Sequence, residues 1–149
     1  MKLERILKPN DEDIMLLTKW RRKVHILWKD NFYATFKGTK AWVKQLNRRG
    51  DALYFVIVKG KKIGQIGFQN IDEKHANISI GFVIRGQGKS DGSMTNAVYY
   101  LLGYAYGCGF KHIYLSVLKS NILAQRFYKK IGFNKYKSEG KLYIFKYGT

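Results

Sequence analysis

The amino-acid sequence predicts an α+β fold, a mixed sandwich in which a central, mostly antiparallel twisted sheet is flanked by helices. Strand-like runs lie back to back between residues 53 and 84 with no helical pattern between them. From residue 94 helical and strand patterns alternate, and the chain ends in a hairpin pattern. A block of consecutive strands followed by alternating elements describes a mixed sheet, not a doubly wound parallel one. With 149 residues, 46% of them hydrophobic and 15% aromatic, one domain over residues 1–149 with a sizeable core is expected.

The element order reads β-α-α-β-β-β-α-β-α-β-β. Residues 2–7 alternate as a first strand. Asp11, Glu12 and Asp13 place three carboxylates where a helix N-terminus favours them, and Ile14, Leu16 and Leu17 begin its apolar face. The run Trp20-Arg21-Arg22-Lys23 is expected to close that helix, and residues 25–38 have weak periodicity. A second helix is expected from Thr39, carrying Trp42, Val43 and Leu46, with Gly50 beyond its end. Residues 53–58 and 63–68, joined by the glycine-containing turn 59–62, read as a hairpin. Asp72-Glu73-Lys74-His75 turn the chain into a fourth strand whose Ile78, Ile80, Phe82 and Ile84 share one face. Met94, Val98, Leu101 and Ala105 then repeat at helical spacing until Gly107-Cys108-Gly109. Ile113, Leu115 and Val117 mark a fifth strand, and Ala124, Phe127, Tyr128 and Ile131 the next helix. Residues 135–137 and 142–147 flank Glu139-Gly140-Lys141 as a last hairpin.

Composition narrows the function classes. No run approaches the roughly 18 apolar residues of a membrane span, and no signal-peptide pattern opens the chain, so a cytoplasmic protein without a membrane partner is expected. Cys108 is the only cysteine, and no His/Cys/carboxylate spacing suits a metal, so neither a disulfide framework nor a metal cofactor is expected. The net charge of +18 steers anions toward the surface; CoA, a nucleotide-linked substrate, nucleic acid and the ribosome all fit. Lysine supplies 21 of the 28 basic residues, which fits a Lys-rich source proteome equally well.

The densest chemical signal is Gln87-Gly88-Lys89-Ser90-Asp91-Gly92-Ser93-Met94-Thr95-Asn96-Ala97, a glycine-rich loop opening an apolar helix. Backbone N–H groups at a helix start favour an anion, and glycines let a pyrophosphate approach them. Asn121, Ala124, Phe127-Tyr128 and Gly132-Phe133 follow about one βα unit later. A kinase-type P-loop is excluded, because Val83 stands where its first glycine would have to be.

Together these elements resemble the GNAT superfamily of acetyl-CoA-dependent N-acetyltransferases, most specifically over residues 78–133. The resemblance implies a sheet splayed between strands four and five, with the acetyl-pantetheine arm pairing with strand four at Phe82, Val83 and Ile84. It also implies a loop of pattern [Gln/Arg]-x-x-Gly-x-[Gly/Ala] that donates amides to the CoA pyrophosphate. Two registers are open. Arg85 to Ser90 fits the letters apart from Ser90, whereas Lys89 to Met94 places Gly92 at the key glycine. The second gives the following helix its usual family length, and Gly92-Ser93-Met94-Thr95-Asn96-Ala97 is similar to a phrase in the ribosomal-protein N-terminal acetyltransferase branch. It is preferred, although Asp91 is then an awkward neighbour for a pyrophosphate. Gln87, Gly88, Lys89, Asp91, Gly92, Ser93, Met94, Asn121 and Tyr128 are the implied cofactor-binding residues beside strand four.

An amine attacking a thioester needs a neutral nucleophile, a polarised carbonyl and a proton for the departing thiolate. Tyr128 lies two helical turns after Asn121, so both can face the cofactor. The resemblance implies that Tyr128 is the general acid and that Asn121 contacts the CoA arm; an amphipathic core tyrosine is the plainer alternative. Glu73, beside Asp72 and His75, is the candidate base, set against a simply solvated loop. His25 and His112 read as structural, and Cys108 as a turn residue. Trp20 and Arg21 are the candidate acceptor-binding pair, since in the branch acting on nucleotide-linked amino sugars aromatic and basic groups can stack on a base or hold phosphates; a core tryptophan beside a solvated basic turn is the alternative.

The expected function is direct acetyl transfer from acetyl-CoA to a primary amine, first of all on a nucleotide-linked amino sugar, by a monomer or homodimer. A protein N-terminus or lysine, a nucleic-acid base amine, and a non-catalytic nucleic-acid-binding module stand as alternatives; Lys135-Tyr136-Lys137 and Lys141-Leu142-Tyr143 suit that last reading or an alternating edge hairpin.

Overall fold

A computed structural model describes residues 1–28, 33–88 and 90–148. The elements are β1 (Lys2–Arg5), α1 (Asp11–Trp28), α2 (Phe36–Arg48), β2 (Ala52–Val58), β3 (Lys61–Asp72), β4 (Asn77–Arg85), α3 (Ser93–Gly107), β5 (His112–Leu118), α4 (Ile122–Ile131), β6 (Phe133–Glu139) and β7 (Leu142–Tyr147). They form one seven-stranded sheet in the order β1-β2-β3-β4-β5-β7-β6. Every neighbouring pair is antiparallel except β4 and β5.

The element order agrees with the sequence reading, but several boundaries do not, and three of them have a visible physical reason. The basic run does not end α1, because its charges are held by neighbours. Arg21 donates to Thr39 Oγ1 at 3.1 Å, Arg22 Nε donates to the Ala34 carbonyl at 2.8 Å, and Lys23 donates to the Gly86 carbonyl. Helix α2 begins at Phe36 rather than Thr39, since the Thr35 hydroxyl caps it by accepting from Gly38 N–H. Strand β3 runs on to Asp72 through a register shift after Gln69, where Asn70 takes φ +53°.

Helices α3 and α4 cover one face of the sheet over a core that includes Ile66, Leu101, Ile113, Phe133 and Phe145. On the other face α1 and α2 bury Ile14, Leu17, Val43 and Leu46 against Leu53 and Phe55. Trp20 is the largest member of this second core, with no exposed surface, and it meets Phe55 edge-on at 5.9 Å. A Cβ at Gly86 would lie 1.9 Å from the Trp20 indole, so only glycine lets the chain leave β4 across that ring. The outer strand β6 presents Lys135, Tyr136 and Lys137 to solvent, where lysines discourage edge-to-edge pairing.

Candidate active site

Strands β4 and β5 pair only at Asn77 with His112, Ile78 with Ile113 and Ser79 with Tyr114. Beyond Ser79 they part, while β5 continues to pair with β7 as far as Leu118. The second half of β4 therefore has no β5 partner, and its backbone groups border a groove of about 590 Å³. Phe82, Val83 and Ile84 form one wall; Ser116, Asn121 and Tyr128 belong to the other side. An extended amide-bearing chain can satisfy such an open strand edge as a further strand would.

The loop after β4 places the two registers in different surroundings. The Gly86 and Gln87 amides both donate to the Ile63 carbonyl, at 2.8 and 3.0 Å, and the Gln87 side chain donates to the Lys62 carbonyl. These donors anchor the loop to β3 and are not available to a phosphate, which argues against a site at residues 85–90. Gly92, at φ +83°, is the N-cap of α3, and nothing approaches within 4 Å of the position a Cβ would take. Behind it Met94 and Thr95 carry first-turn amides that no helical carbonyl can satisfy. The Met94 side chain is buried, so what that residue offers is its backbone.

Asp91 already lies at this helix start. Its carboxylate accepts from Ser93 N–H at 2.9 Å and pairs with the Arg85 guanidinium at 3.3 Å. Hydrogen bonds from Ser93, followed by the charge of Arg85, hold the Asp91 carboxyl below its ordinary value. An acidic side chain thus sits on donors that suit an incoming phosphate. Gly88 adopts φ +82° nearby; Lys89 lies outside the described residues.

Tyr128 is 8% exposed, with its ring edge-on to Phe127 and Phe133 at 5.1 and 5.9 Å. Among the described residues its hydroxyl makes no hydrogen bond, and burial pushes the phenol above its usual pKa. Asn121 accepts from Ala124 N–H at 3.1 Å through its side-chain oxygen, so it caps α4 while lining the groove. Arg21 lies 4.4 Å from the centre of the Trp42 ring, and Trp42 meets Phe82 edge-on at 5.7 Å. Burial lowers the Arg21 pKa, yet a guanidinium stays charged at any ordinary pH.

Two of the expected site residues lie away from the groove. Trp20 has no exposed face on which an acceptor could stack; the groove tryptophan is Trp42. Glu73 belongs to the exposed turn before β4, at the end where β4 and β5 are joined, so the closed end of the wedge separates it from Tyr128. It borders a different cavity of about 430 Å³ with Arg5, Tyr54 and Tyr104. Asp72 and His75, 2.7 Å apart, share that turn. Cys108 is the exposed C-cap of α3, His112 opens β5, and the His25 side chain lies outside the described residues.

The sequence reading missed Trp42, Gln65, Gln69 and Ser116, all of which line the groove. Trp42 has the spacing of an ordinary core residue. Gln65 was open to notice as a lone amide within Ile63-Gly64-Gln65-Ile66-Gly67-Phe68. Among the described lining residues Arg21 is the one charged side chain, and there is no carboxylate or histidine.

The open strand edge and the glycine N-cap agree with the matches to known proteins. A family model described as an acetyltransferase (GNAT) domain matches residues 5–134. The chain belongs to the GNAT acetyltransferase family. It is accordingly an enzyme that transfers an acyl group to an amine, and the family uses acetyl-CoA as co-substrate. The GNAT fold is shared with a probable acetyltransferase of Chromobacterium violaceum at 17% identity and TM-score 0.81, covering 97% of this chain and 80% of that one. FdhC, described as a nucleotide-linked sugar GNAT, has 15% identity and TM-score 0.77, covering 98% and 85%. A mutant of the Vibrio cholerae spermidine N-acetyltransferase has 16% identity and TM-score 0.77, covering 99% and 94%. No curated protein sequence matches the chain. Among the described residues no helix is long and apolar enough to cross a membrane.

Proposed function

We propose that this GNAT protein acetylates the primary amine of a small anionic acceptor, with a nucleotide-linked amino sugar as the first candidate. The observation that carries this reading is the Arg21 guanidinium laid 4.4 Å from the Trp42 ring centre in the groove, an arrangement that suits a planar, anionic group. A planar base can pack at the half-buried Trp42, beside the Arg21 guanidinium that also donates to Thr39. A polyamine of the kind named for the Vibrio protein would meet this guanidinium, and no carboxylate stands among the described lining residues.

Acetyl-CoA fits the residues present. Its pantetheine amides would pair along Phe82, Val83 and Ile84, and its pyrophosphate would meet the amides of Gly92 to Thr95 once Asp91 gives way. The nitrogen lone pair of the acceptor attacks the acetyl carbonyl carbon, the carbon–sulfur bond breaks, and the nitrogen loses one proton. Tyr128 donates its O–H toward the departing sulfur. Since burial keeps the phenol above about 10, whereas a thiol ionises near about 8.5, complete proton transfer from Tyr128 is uphill. Tyr128 therefore stabilises the leaving thiolate by hydrogen bonding, and the proton lost by the nitrogen balances the sulfur through solvent.

The test is CoA release from acetyl-CoA with a panel comprising nucleotide-linked amino sugars, spermidine, a peptide with a free N-terminus, and amine-bearing oligonucleotides. Preference for the nucleotide-linked amine, lost in Arg21→Ala through a raised acceptor KM, supports the reading. Preference for spermidine overturns the anionic acceptor, and turnover of only the peptide or oligonucleotide transfers the assignment to those classes.

A further inference from the structure

Opposite Ile66 of β3, strand β4 carries one residue too many. Gln65 is in register with Ile84 and Gly67 with Gly81, so Phe82 and Val83 together span the place of a single residue. Within this bulge Phe82 takes φ +60°, a left-handed conformation in which an aromatic side chain is strained. Such a conformation persists only where its surroundings impose it. Three neighbours do so. Gln65 Nε2 donates to the Phe82 carbonyl at 2.9 Å, Trp42 abuts the Phe82 ring, and a Cβ at Gly67 would come within 2.9 Å of that ring.

Gln65 is an odd residue to find there for stability alone. It is 1% exposed, and its other amide atom, Oε1, is buried with no hydrogen-bond partner among the described residues. An orphaned acceptor offsets much of what one hydrogen bond contributes to folding. What the amide does accomplish is directional. A trans peptide points its C=O and the following N–H in opposite senses, so a Phe82 carbonyl held by Gln65 fixes the Val83 N–H in the opposite direction, at a residue that lines the groove. A fixed N–H beside the reacting carbonyl stabilises charge that develops on its oxygen.

We infer that Gln65 is a positioning residue, which clamps the strained Phe82 bulge and thereby aims the Val83 amide at the acetyl carbonyl. The inference rests on the proposed acetyl transfer. It gives the left-handed phenylalanine, the buried amide and the glycine at 67 a common purpose, and it places a determinant of rate on β3 that acts through the β4 backbone.

A double-mutant cycle tests it. Gln65→Met keeps length and removes the donor; the expected result is a fall in kcat of between about 10-fold and 10²-fold, with KM for acetyl-CoA changed less than about 3-fold. Phe82→Gly has its own cost, but glycine occupies φ +60° without strain. In that background Gln65→Met is expected to change kcat less than about 3-fold. An unchanged kcat for Gln65→Met, or the same loss in both backgrounds, overturns the clamp. If Gln65→Met does not fold, Gln65→Glu answers instead, because a protonated carboxyl can donate to the Phe82 carbonyl and a carboxylate cannot. Its kcat relative to wild type at each pH must rise as pH falls, and a flat ratio overturns the inference. Wild-type protein inert with acetyl-CoA and every amine would refute the transferase reading itself, an outcome distinct from an active wild type with an unaffected variant.

Discussion

Replacing Tyr128 by Phe removes one hydroxyl and little else. The ring keeps its edge contacts with Phe127 and Phe133, and among the described residues the hydroxyl has no hydrogen bond to lose. Folding stability at neutral pH should therefore be nearly unchanged. The rate should not be. A hydrogen bond to a charged group is worth about 1.5–3 kcal/mol. At about 1.4 kcal/mol per decade this is a loss of roughly 10- to 150-fold in kcat. A positioned general acid would give about 10²–10⁴, and the buried phenol, held above its ordinary pKa, favours the lower range. The measurement is steady-state CoA release with a competent amine, under conditions where a pre-steady-state burst is absent and chemistry limits turnover. The ratio of wild-type to variant kcat should be constant between about pH 6 and 9, because the phenol stays protonated throughout. Stability follows the same sign: the folded state raises this pKa, so the contribution of the neutral phenol is intact below about 10 and is lost as pH rises toward the folded value. Wild-type turnover in Tyr128→Phe would make the residue a packing aromatic. A loss beyond about 10³ would instead restore full proton transfer from the phenol.

Gly92→Val should abolish the thermal stabilisation that CoA confers, whereas Gly88→Ala should weaken it less; the opposite ranking in a melting assay would return the pyrophosphate to residues 85–90. Asp91→Asn removes a charge from the α3 start and releases Arg85, so CoA should bind more tightly by titration calorimetry, and weaker binding would show that the carboxylate orders the loop for its ligand. Glu73→Gln should retain wild-type kcat and pH profile, since the residue lies at the closed end of the wedge; loss of an acid limb in the profile would reinstate it as the base.

The order of the elements could be read because each strand and helix carries its own period, and β4 leading into the glycine loop could be read because those residues are contiguous. What escaped the reading depends on contacts between distant segments. Arg21, Arg22 and Lys23 look like a helix end only until Thr39, Ala34 and Gly86 arrive to hold them. Trp20 and Trp42 have similar apolar surroundings in sequence, yet one is buried beneath Gly86 and the other reaches the groove. Glu73 precedes β4 by a few residues, but a strand separates its two ends, and proximity in sequence does not carry a turn to the splayed half. The loop register, undecided by its letters, is favoured at Gly92 by a carbonyl on another strand, that of Ile63, which occupies the Gly86 and Gln87 amides.

One turn of α1 touches both the groove and the loop that leaves β4. Trp20 lies beneath Gly86, Lys23 holds the Gly86 carbonyl, and Arg21 between them reaches the acceptor wall. On the proposed assignment, the loop that leads to Gly92 and the wall that meets the acceptor are fastened to one helix, so a tilt of that helix that adjusts to one substrate also resets the other's site. Such a linkage is reciprocal by thermodynamic necessity. The kinetic consequence is synergy between substrates: the dissociation constant of either should depend on saturation with the other, and a change that loosens α1 should uncouple them even where neither is touched.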